Sequence, residues 1–347
     1  GGQAMGLGPS ARALWCCLLT GAPRPLPALR HSRLALRMHA SRQPGKEGAP
    51  PEADALSQLA DQLELSTIVS PTNAKVKLMR RLGSRRQRER SGMILLEGHR
   101  LVADALEAGF RPELVLFTPE ATRAPEGKRL IAAIVGDDSW DGRACLAPSQ
   151  LVHELSDTLA PQGVLAMLRE PSLPLPDRAS LVLVLDRISD PGNLGTLLRS
   201  AAGAGVDAVL MLEGCTDVWG LKALRAGMGA QLRLPTATVP TWAHARTQLE
   251  SWGCAAVKAD AGGELSHAQV DWTRPMALVV GSEAAGLSAD VRADESTPAV
   301  SIPLLGNVES LNAAVAGSVT LFEARRQRDS QRDQSAGRVA NPKRGHT

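Results

Sequence analysis

The chain has few aromatic residues: among its 347 residues it has no tyrosine, three phenylalanines and six tryptophans. A row of stacked aromatic rings is therefore excluded as the main way in which it could hold an unpaired nucleic acid. Cysteine is also scarce, and the five thiols show neither Cys-x-x-Cys spacing nor a disulfide framework. This excludes a typical zinc module and indicates a reducing compartment. The seven histidines are scattered, so no metal site is expected.

Acidic residues are missing from residues 1–46, although this segment carries Arg12, Arg24, Arg30, Arg33, Arg37 and Arg42. An arginine-rich, acid-free composition with Ser, Ala and Leu is typical of an organelle transit peptide. The apolar run "LWCCLLT" is too short for a membrane span, which takes about 20 apolar residues. A secretory signal fits less well because prolines and arginines follow the run, and a disordered basic tail is the other alternative.

Composition shifts divide the rest of the chain. A mixed-charge linker with one weak helix precedes a small α/β domain that begins with a basic helix and contains the strand signals "MILLEG" and "ELVLF". The stretch "PSLPLPDRAS" predicts a hinge, because helices and central strands cannot continue through it. The predicted boundaries are linker 47–71, small domain 72–170, hinge 171–179, large domain 180–328 and disordered tail 329–347.

Continuous apolar runs dominate the large domain: "LVLVLD", "VDAVLML", "CAAVKA", "MALVVG" and "PAVSIPL". Strands that are buried on both faces have this pattern, so the fold class is α/β with a mostly parallel sheet covered by helices. A final helix is predicted from "ESLNAAVAGSVTLFEARRQR", with Leu311, Val315, Val319 and Phe322 on one face.

The turn "DPGNLGTLLR" opens a helix directly after the first of these runs, yet it matches neither dinucleotide nor phosphate-loop spacing. Asn193 is the predicted N-cap of this helix. Arg199 falls away from the core face, beside Gly195, Ala202 and Gly203, where small residues permit a ligand or backbone to approach. A solvated surface arginine is the alternative.

Two further runs end in polar loops, "GSEAAGLS" and "IPLLGNVESLN". Ligands of open α/β sheets bind beyond the carboxyl ends of the strands, so the three loops predict one site. A nicotinamide-dependent enzyme is a poor alternative, because the glycine fingerprint is missing.

Read together, the three loops resemble the three motifs of the SpoU family of trefoil-knotted RNA 2′-O-methyltransferases, over roughly residues 180–328. Residues 72–170 are similar to the ribosomal-protein-like RNA-binding domain that many members carry. The stretch "CTDVWGLKALRAGMGAQLRLP" is similar to members that methylate a guanosine ribose of mitochondrial large-subunit rRNA. The resemblance therefore implies a trefoil knot, S-adenosylmethionine as cofactor, a homodimer, that rRNA or its assembling particle as partner, and the mitochondrial matrix as location.

The resemblance also implies roles for single residues. Its catalytic group corresponds to Asn193, Arg199, Glu283, Ser310 and Asn312. The cofactor would lie in the knot loops, held largely by main chain at Gly281, Ile302, Leu304, Gly306 and Leu311. Arginine stays protonated in proteins, so Arg199 is expected to stabilise a developing alkoxide unless proton loss is coupled to the reaction.

A basic run precedes the small domain's first strand. It contains Lys75, Lys77, Arg80, Arg81, Arg85, Arg86, Arg88 and Arg90, opposed locally only by Glu89. This density predicts a phosphate-binding surface, with the first six as the RNA-binding residues, although a solvated face has the same composition. Two alternative functions remain: a non-catalytic RNA-binding assembly factor, and a 2′-O-methyltransferase that acts on tRNA.

Overall fold

The computed structural model of the chain describes residues 51–135, 140, 142–283, 285–306 and 308–339, without the side chains of 51–53 and 335–339. The predicted transit peptide, residues 1–46, lies outside the described residues. Within the described part, no helix combines the length and the apolar character that a membrane crossing requires.

The small domain surrounds a five-stranded sheet with the strand order β1-β4-β3-β5-β2. Strands β1, β4 and β3 are parallel, and β5 is antiparallel to both β3 and β2. Its elements are α1 (Pro51–Gln62), β1 (Ser66–Thr67), α2 (Ala74–Arg81), α3 (Arg85–Ser91), β2 (Met93–Glu97), α4 (His99–Glu107), β3 (Leu114–Phe117), α5 (Pro119–Arg123), α6 (Pro125–Val135), β4 (Ala144–Leu146), α7 (Ser149–Leu155) and β5 (Val164–Arg169).

The predicted linker 47–71 needs correction from Pro51 onward. Helix α1 places Leu56 and Ala60 in the core of the small domain, and β1 is the edge strand of its sheet. The sequence pattern did not predict this packing, because α1 has few apolar residues among its charged ones and they lie on one side of the helix.

The large domain contains a seven-stranded sheet with the order β10-β12-β9-β11-β6-β7-β8, in which every pair is parallel. Its elements are β6 (Leu181–Asp186), α8 (Pro191–Ala204), β7 (Ala208–Leu212), α9 (Leu221–Gly227), β8 (Thr236–Val239), α10 (Trp242–Ser251), β9 (Ala255–Ala259), β10 (Leu265–Ser266), β11 (Met276–Gly281), α11 (Ala289–Ala293), β12 (Ala299–Ser301) and α12 (Ala313–Val339). The predicted parallel sheet is confirmed.

The central strands follow the apolar runs because both of their faces are buried: β6 and β7 are buried throughout. The edge strands β8 and β10 carried no such signal, since both are only partly buried and β10 has two residues. Strand order alone does not specify threading of the chain, so the trefoil knot stays an expectation of the resemblance.

Helix α12 packs on α8, where the Ser318 hydroxyl donates to Ser200 Oγ at 2.7 Å. The apolar face predicted for α12 lies on the outside of the described chain: Val315, Val319 and Phe322 are exposed, while Ala314, Leu321 and Ala324 are buried. Small residues allow the close packing of the two helices, so the core face of α12 is less apolar than its outer face. The prediction of a disordered tail from residue 329 onward is wrong for residues 329–339, because these residues continue α12.

The two domains share a core. Leu224 of α9 and Leu232 after it pack in the hydrophobic cluster of the small domain. Ion pairs join the same surfaces, with Arg225 Nη1 lying 3.4 Å from Glu97 Oε2 and Arg233 Nη2 lying 3.3 Å from Asp104 Oδ1. The proline-rich connection is fixed as well, because the indole of Trp252 donates to the Pro176 carbonyl at 3.0 Å.

Arg328 of α12 closes the amino-terminal edge of the large sheet. Its guanidinium donates to the Trp272, Ser180 and Arg274 carbonyls and to the Ser180 hydroxyl, at 2.6–2.9 Å. Burial lowers the pKa of Arg328, and the nearby Asp207 acts in the opposite direction. These bonds tie α12 to the segments that precede β6 and β11.

We expect Arg328→Ala to lower the free energy of unfolding by about 2–3 kcal/mol, because hydrogen bonds to charged groups are each worth roughly 1.5–3 kcal/mol. Denaturant unfolding of the full chain measures this. Arg326→Ala is the matched control, since it removes an exposed pair with Glu323 within the same helix. Equal effects of the two substitutions would contradict the assignment.

Candidate active site

The turn between β6 and α8 is capped by Asp190. Its Oδ1 accepts a hydrogen bond from the Asn193 amide at 2.8 Å, and its Oδ2 lies 3.1 Å from Lys222 Nζ. The amide first, and then Lys222, lower the pKa of Asp190. The prediction that Asn193 is the N-cap is therefore wrong: Pro191 starts the helix, so the residue before it caps. The Asn193 side chain is left for other contacts.

Gly195 serves helix packing. A Cβ at this position would lie 2.4 Å from the Ala223 carbonyl oxygen of α9, closer than any real contact. Arg199 lies on a different face of α8 and is exposed, with no hydrogen bond or ion pair to the described residues. Gly195 thus allows α9 to pack closely on α8, while the Arg199 side chain is accessible to solvent or to a partner.

The side chain of Asn312 connects all three polar loops by hydrogen bonds. It caps α12, where its Oδ1 accepts from the Ala314 and Val315 amides at 2.9 and 3.1 Å. Its Nδ2 donates to Asn193 Oδ1 at 3.1 Å and to the Glu283 carboxylate. One side chain therefore joins the turn before α8, the loop after β11 and the start of α12.

Glu283 lies at the amino terminus of α12. Its Oε1 also accepts from the Ala313 amide at 3.3 Å. A carboxylate is stabilised at this place by the unpaired amides and the helix dipole. Of the five predicted catalytic residues, the structure brings Asn193, Glu283 and Asn312 into contact.

The other two predicted catalytic residues lie outside this hydrogen-bonded group. Ser310 is exposed just before the cap. Arg199 is six positions beyond Asn193 along α8, which corresponds to about 9 Å of helix rise. Both side chains are exposed and make no hydrogen bond to this group among the described residues.

The loop after β11 folds back on itself. A Cβ on Gly281 would lie 2.7 Å from the Gly286 carbonyl carbon, so only glycine fits. Ser282 and Gly286 exchange backbone hydrogen bonds of 3.1 and 2.8 Å. The far end of the loop is held by Asp186, whose buried carboxylate accepts from the Ser288 amide. Sequence reasoning missed Asp186, although a charged residue at the end of the run "LVLVLD" was a signal.

The loop after β12 fits a flat, partly apolar ligand. Because β11, β9 and β12 are parallel, their carboxyl ends lie at one edge of the sheet. Gly281 and Ile302 are therefore both at this carboxyl edge. Ile302, Leu304 and Leu311 are half-buried, and Leu305 is 93% exposed. Apolar side chains beside open main chain suit the adenosine part of S-adenosylmethionine. Among the described residues, no cluster of His, Cys, Asp or Glu could hold a metal ion.

The predicted RNA-binding residues lie on α2 and α3, and all six are exposed: Lys75, Lys77, Arg80, Arg81, Arg85 and Arg86. Arg80 pairs with Glu154 at 3.2 Å, and Arg85 pairs with Glu89 at 2.8 Å. Arg88 does not belong to this surface. It is buried and bonds to the Leu82 carbonyl and to Asp217 of the large domain, so its role is to join the domains.

The sequence matches two protein-family models. Residues 180–322 match the SpoU rRNA Methylase family, and residues 73–166 match the MRM3-like substrate binding domain. The chain is 34% identical over 312 residues to "rRNA methyltransferase 3, mitochondrial" of Mus musculus, covering 73% of each protein. It belongs to the SpoU rRNA methylase family. The resemblance and the enzyme class predicted from the three motifs are thereby confirmed.

Two other members extend the comparison. The chain is 29% identical over 266 residues to the 23S rRNA (guanosine(2553)-2′-O)-methyltransferase RlmP of Bacillus subtilis, covering 75% of this chain and all of that protein. An AdoMet-bound rRNA methyltransferase from Sinorhizobium meliloti superimposes with a TM-score of 0.65 at 29% identity, covering 76% of this chain and 98% of that one. The SpoU methylase is thus an α/β protein with the fold of known RNA methyltransferases.

We expect Asn312→Ala to cost about 1 kcal/mol of stability through loss of the cap. Asn312→Asp keeps the cap but places a second carboxylate against Glu283, so it should also destabilise the protein near pH 7. Denaturant unfolding measures both changes. In a Glu283→Gln background the cost of Asn312→Asp should shrink, and an unchanged cost would mean that the two side chains do not interact.

Proposed function

We propose that this SpoU methylase methylates the 2′-hydroxyl of a guanosine in mitochondrial large-subunit rRNA, with S-adenosylmethionine as its cofactor, in support of large-subunit maturation. The observation that carries the proposal is the meeting of Asn193, Glu283 and Asn312 at the first turn of α8, the helix that also carries the exposed Arg199. These side chains come from three distant parts of the sequence and converge at the carboxyl edge of the sheet, where ligands of parallel sheets bind.

The cofactor supplies a methyl group that its sulfonium already activates for transfer. The chain therefore has two tasks: to hold cofactor and ribose in line, and to manage one proton. Positioning alone contributes roughly 7–11 kcal/mol in favourable cases. Gly281, Ile302, Leu304, Gly306 and Leu311 are the residues that we assign to the cofactor, chiefly through main-chain contacts and apolar packing.

Arg199 is assigned to the ribose hydroxyl. It is exposed on α8 and engaged by none of the described residues, so its guanidinium is free to contact the substrate. Because arginine stays protonated, charge stabilisation of the developing alkoxide is the role that we assign. Asn193, Asn312 and Ser310 would hold the ribose, and Glu283 positions Asn312.

The substrate assignment is supported by the relatives. The mouse protein is named as mitochondrial and the Bacillus protein as a guanosine 2′-O-methyltransferase, and both match over most of this chain. The arginine-rich residues 1–46 agree with import into the matrix. The exposed lysines and arginines of α2 and α3 would contact phosphates, which adds affinity without selecting a sequence.

A homodimer is part of the proposal. Val315, Val319 and Phe322 form an apolar stripe on α12 and are 40–50% exposed. Phe322 lies over α8, since a Cβ on Gly203 would be 3.4 Å from its Cζ. This face adjoins Arg199, and a second copy of the chain would cover it while leaving the carboxyl edge of the sheet accessible.

Transfer of labelled methyl from S-adenosylmethionine to mitochondrial large-subunit rRNA tests the reaction. We expect one guanosine to be modified, as mapped by 2′-O-methyl-sensitive primer extension. Arg199→Ala should lower kcat about 10²–10³-fold, the usual effect of removing one donor to a developing oxyanion. Arg129→Ala, an exposed arginine of α6, is the control and should retain full activity.

Other outcomes are equally informative. Transfer to tRNA but not to rRNA would show that tRNA is the substrate. Methylation of the ribose of a nucleotide other than guanosine would contradict the guanosine assignment. Cofactor binding without transfer to either RNA would favour the assembly-factor alternative. Full activity of Arg199→Ala would remove Arg199 from the site.

The proposed dimer is tested by Phe322→Glu, which places a charge in the centre of the stripe. We expect the mass in light scattering to fall from dimer to monomer, because an unpaired buried charge is costly. Val69→Glu changes an equally exposed apolar side chain of the small domain and should leave the mass unchanged. A wild-type monomer would contradict the proposal.

A further inference from the structure

A cleft of about 740 Å³ lies between the two domains, apart from the loops that contain Asn312. Helix α3 forms one wall, and residues 211–219, which comprise the end of β7 and the segment after it, form the other. Glu170 and two threonines of β8, Thr236 and Thr238, complete the lining. Binding sites for small ligands measure roughly 300–1,000 Å³, so the cleft has the size of a site for one nucleotide.

The cleft lies between the basic helices and the catalytic turn. Its α3 wall also carries the exposed Arg86 and Arg90 on the outside. Its opposite wall touches the segment that leads into α8, because the Thr216 amide donates to the Ile188 carbonyl at 2.8 Å. A single RNA strand that contacts both α3 and the segment before α8 would therefore pass the cleft.

The charges in the cleft do not suit a phosphate. Arg88 is paired with Asp217, and Arg85 is paired with Glu89. Two further carboxylates of the lining, Glu170 and Glu213, have no ion pair among the described residues. The cleft thus presents an excess of hydrogen-bond acceptors to a ligand.

Glu170 lies beside Trp219 in this lining. Burial raises the pKa of the Glu170 carboxylate, and the neighbouring Trp219 side chain acts in the opposite direction. Trp219 itself packs against the core of the small domain, so its ring is fixed in the lining. A carboxylate and a packed aromatic ring in one lining match the two needs of an unpaired base, which are hydrogen bonds at its edge and contact with its face.

We propose that this cleft binds one unpaired guanine of the RNA substrate, with Glu170 and Glu213 accepting from its Watson–Crick edge. Ionised carboxylates only accept hydrogen bonds. Guanine offers two adjacent donors there, N1–H and N2–H, whereas adenine and cytosine place a donor beside an acceptor. The inference rests on the proposed function, which makes RNA the substrate. It adds recognition of one base to the phosphate contacts, which do not distinguish sequences.

Fluorescence anisotropy of the full chain with labelled pentamers tests the inference. The probes are UUGUU, UUIUU, UUAUU and UUCUU, in which inosine removes only the N2 amino group of guanine. We expect UUGUU to bind about tenfold more tightly than the other three, in line with roughly 1–3 kcal/mol for a bidentate base contact. Equal binding of the four probes would overturn the proposal.

Glu170→Gln and Glu213→Gln each remove the negative charge and replace one acceptor oxygen with an NH2 donor, so they should reduce the preference to about twofold or less. Glu126→Gln, an exposed carboxylate at the start of α6, should leave it unchanged. Thermal unfolding shows whether the variants are folded. A guanine preference that survives in both folded cleft variants would also overturn the proposal.

Methyl transfer measured on the same variants separates this inference from the proposed function. We expect the cleft variants to raise KM for the RNA while kcat stays near wild type. Guanine preference without methyl transfer would refute the proposed function alone. Normal transfer with unchanged KM in both cleft variants would refute the cleft as a site used with the substrate.

Discussion

The parallel direction of all seven strands in the large sheet is the constraint on which the site depends. Parallel strands bring their carboxyl ends to one edge, so loops that are far apart in the sequence become neighbours. The amide of Asn312 then joins three of them, because it donates to both Asn193 and Glu283 while its oxygen caps α12. The contact of Asn193, Glu283 and Asn312 thus follows from where α12 begins and from the direction of the strands.

The loop after β11 shows how tightly this arrangement is packed. Gly281 lets the chain turn back against Gly286, and Asp186 at the end of β6 holds the other end of the loop. Gly281 and Asp186 hold the two ends of the loop that carries Glu283, so they fix its position without any contact to a substrate. Positioning of this kind suits a reaction whose methyl donor is already activated.

The two domains are joined by both packing and charge. Leu224 of the large domain lies in the core of the small domain, and Arg88 of the small domain is buried against Asp217 of the large one. Arg88 therefore differs from its exposed neighbours on α3, although all belong to one basic run. The consequence is that the basic surface of α2 and α3 and the carboxyl edge of the large sheet are held in a defined relation.

Burial on both faces made the central strands predictable, because a strand such as "LVLVLD" must be apolar throughout. The edge strands β8 and β10 were missed, since half-exposed strands lack that pattern. The helical spacing of Val315, Val319 and Phe322 predicted one apolar face of α12 but not which face packs on α8, where the smaller Ala314 and Ala324 are buried.

The sequence by itself determined the fold class, the family and the identity of the polar residues in the three loops. Only the tertiary structure decided that Asp190 rather than Asn193 caps α8, that Asn312 connects the loops, and that Arg88 is buried. The reason is that local composition specifies which elements form, whereas hydrogen bonds between residues more than a hundred positions apart depend on how those elements pack.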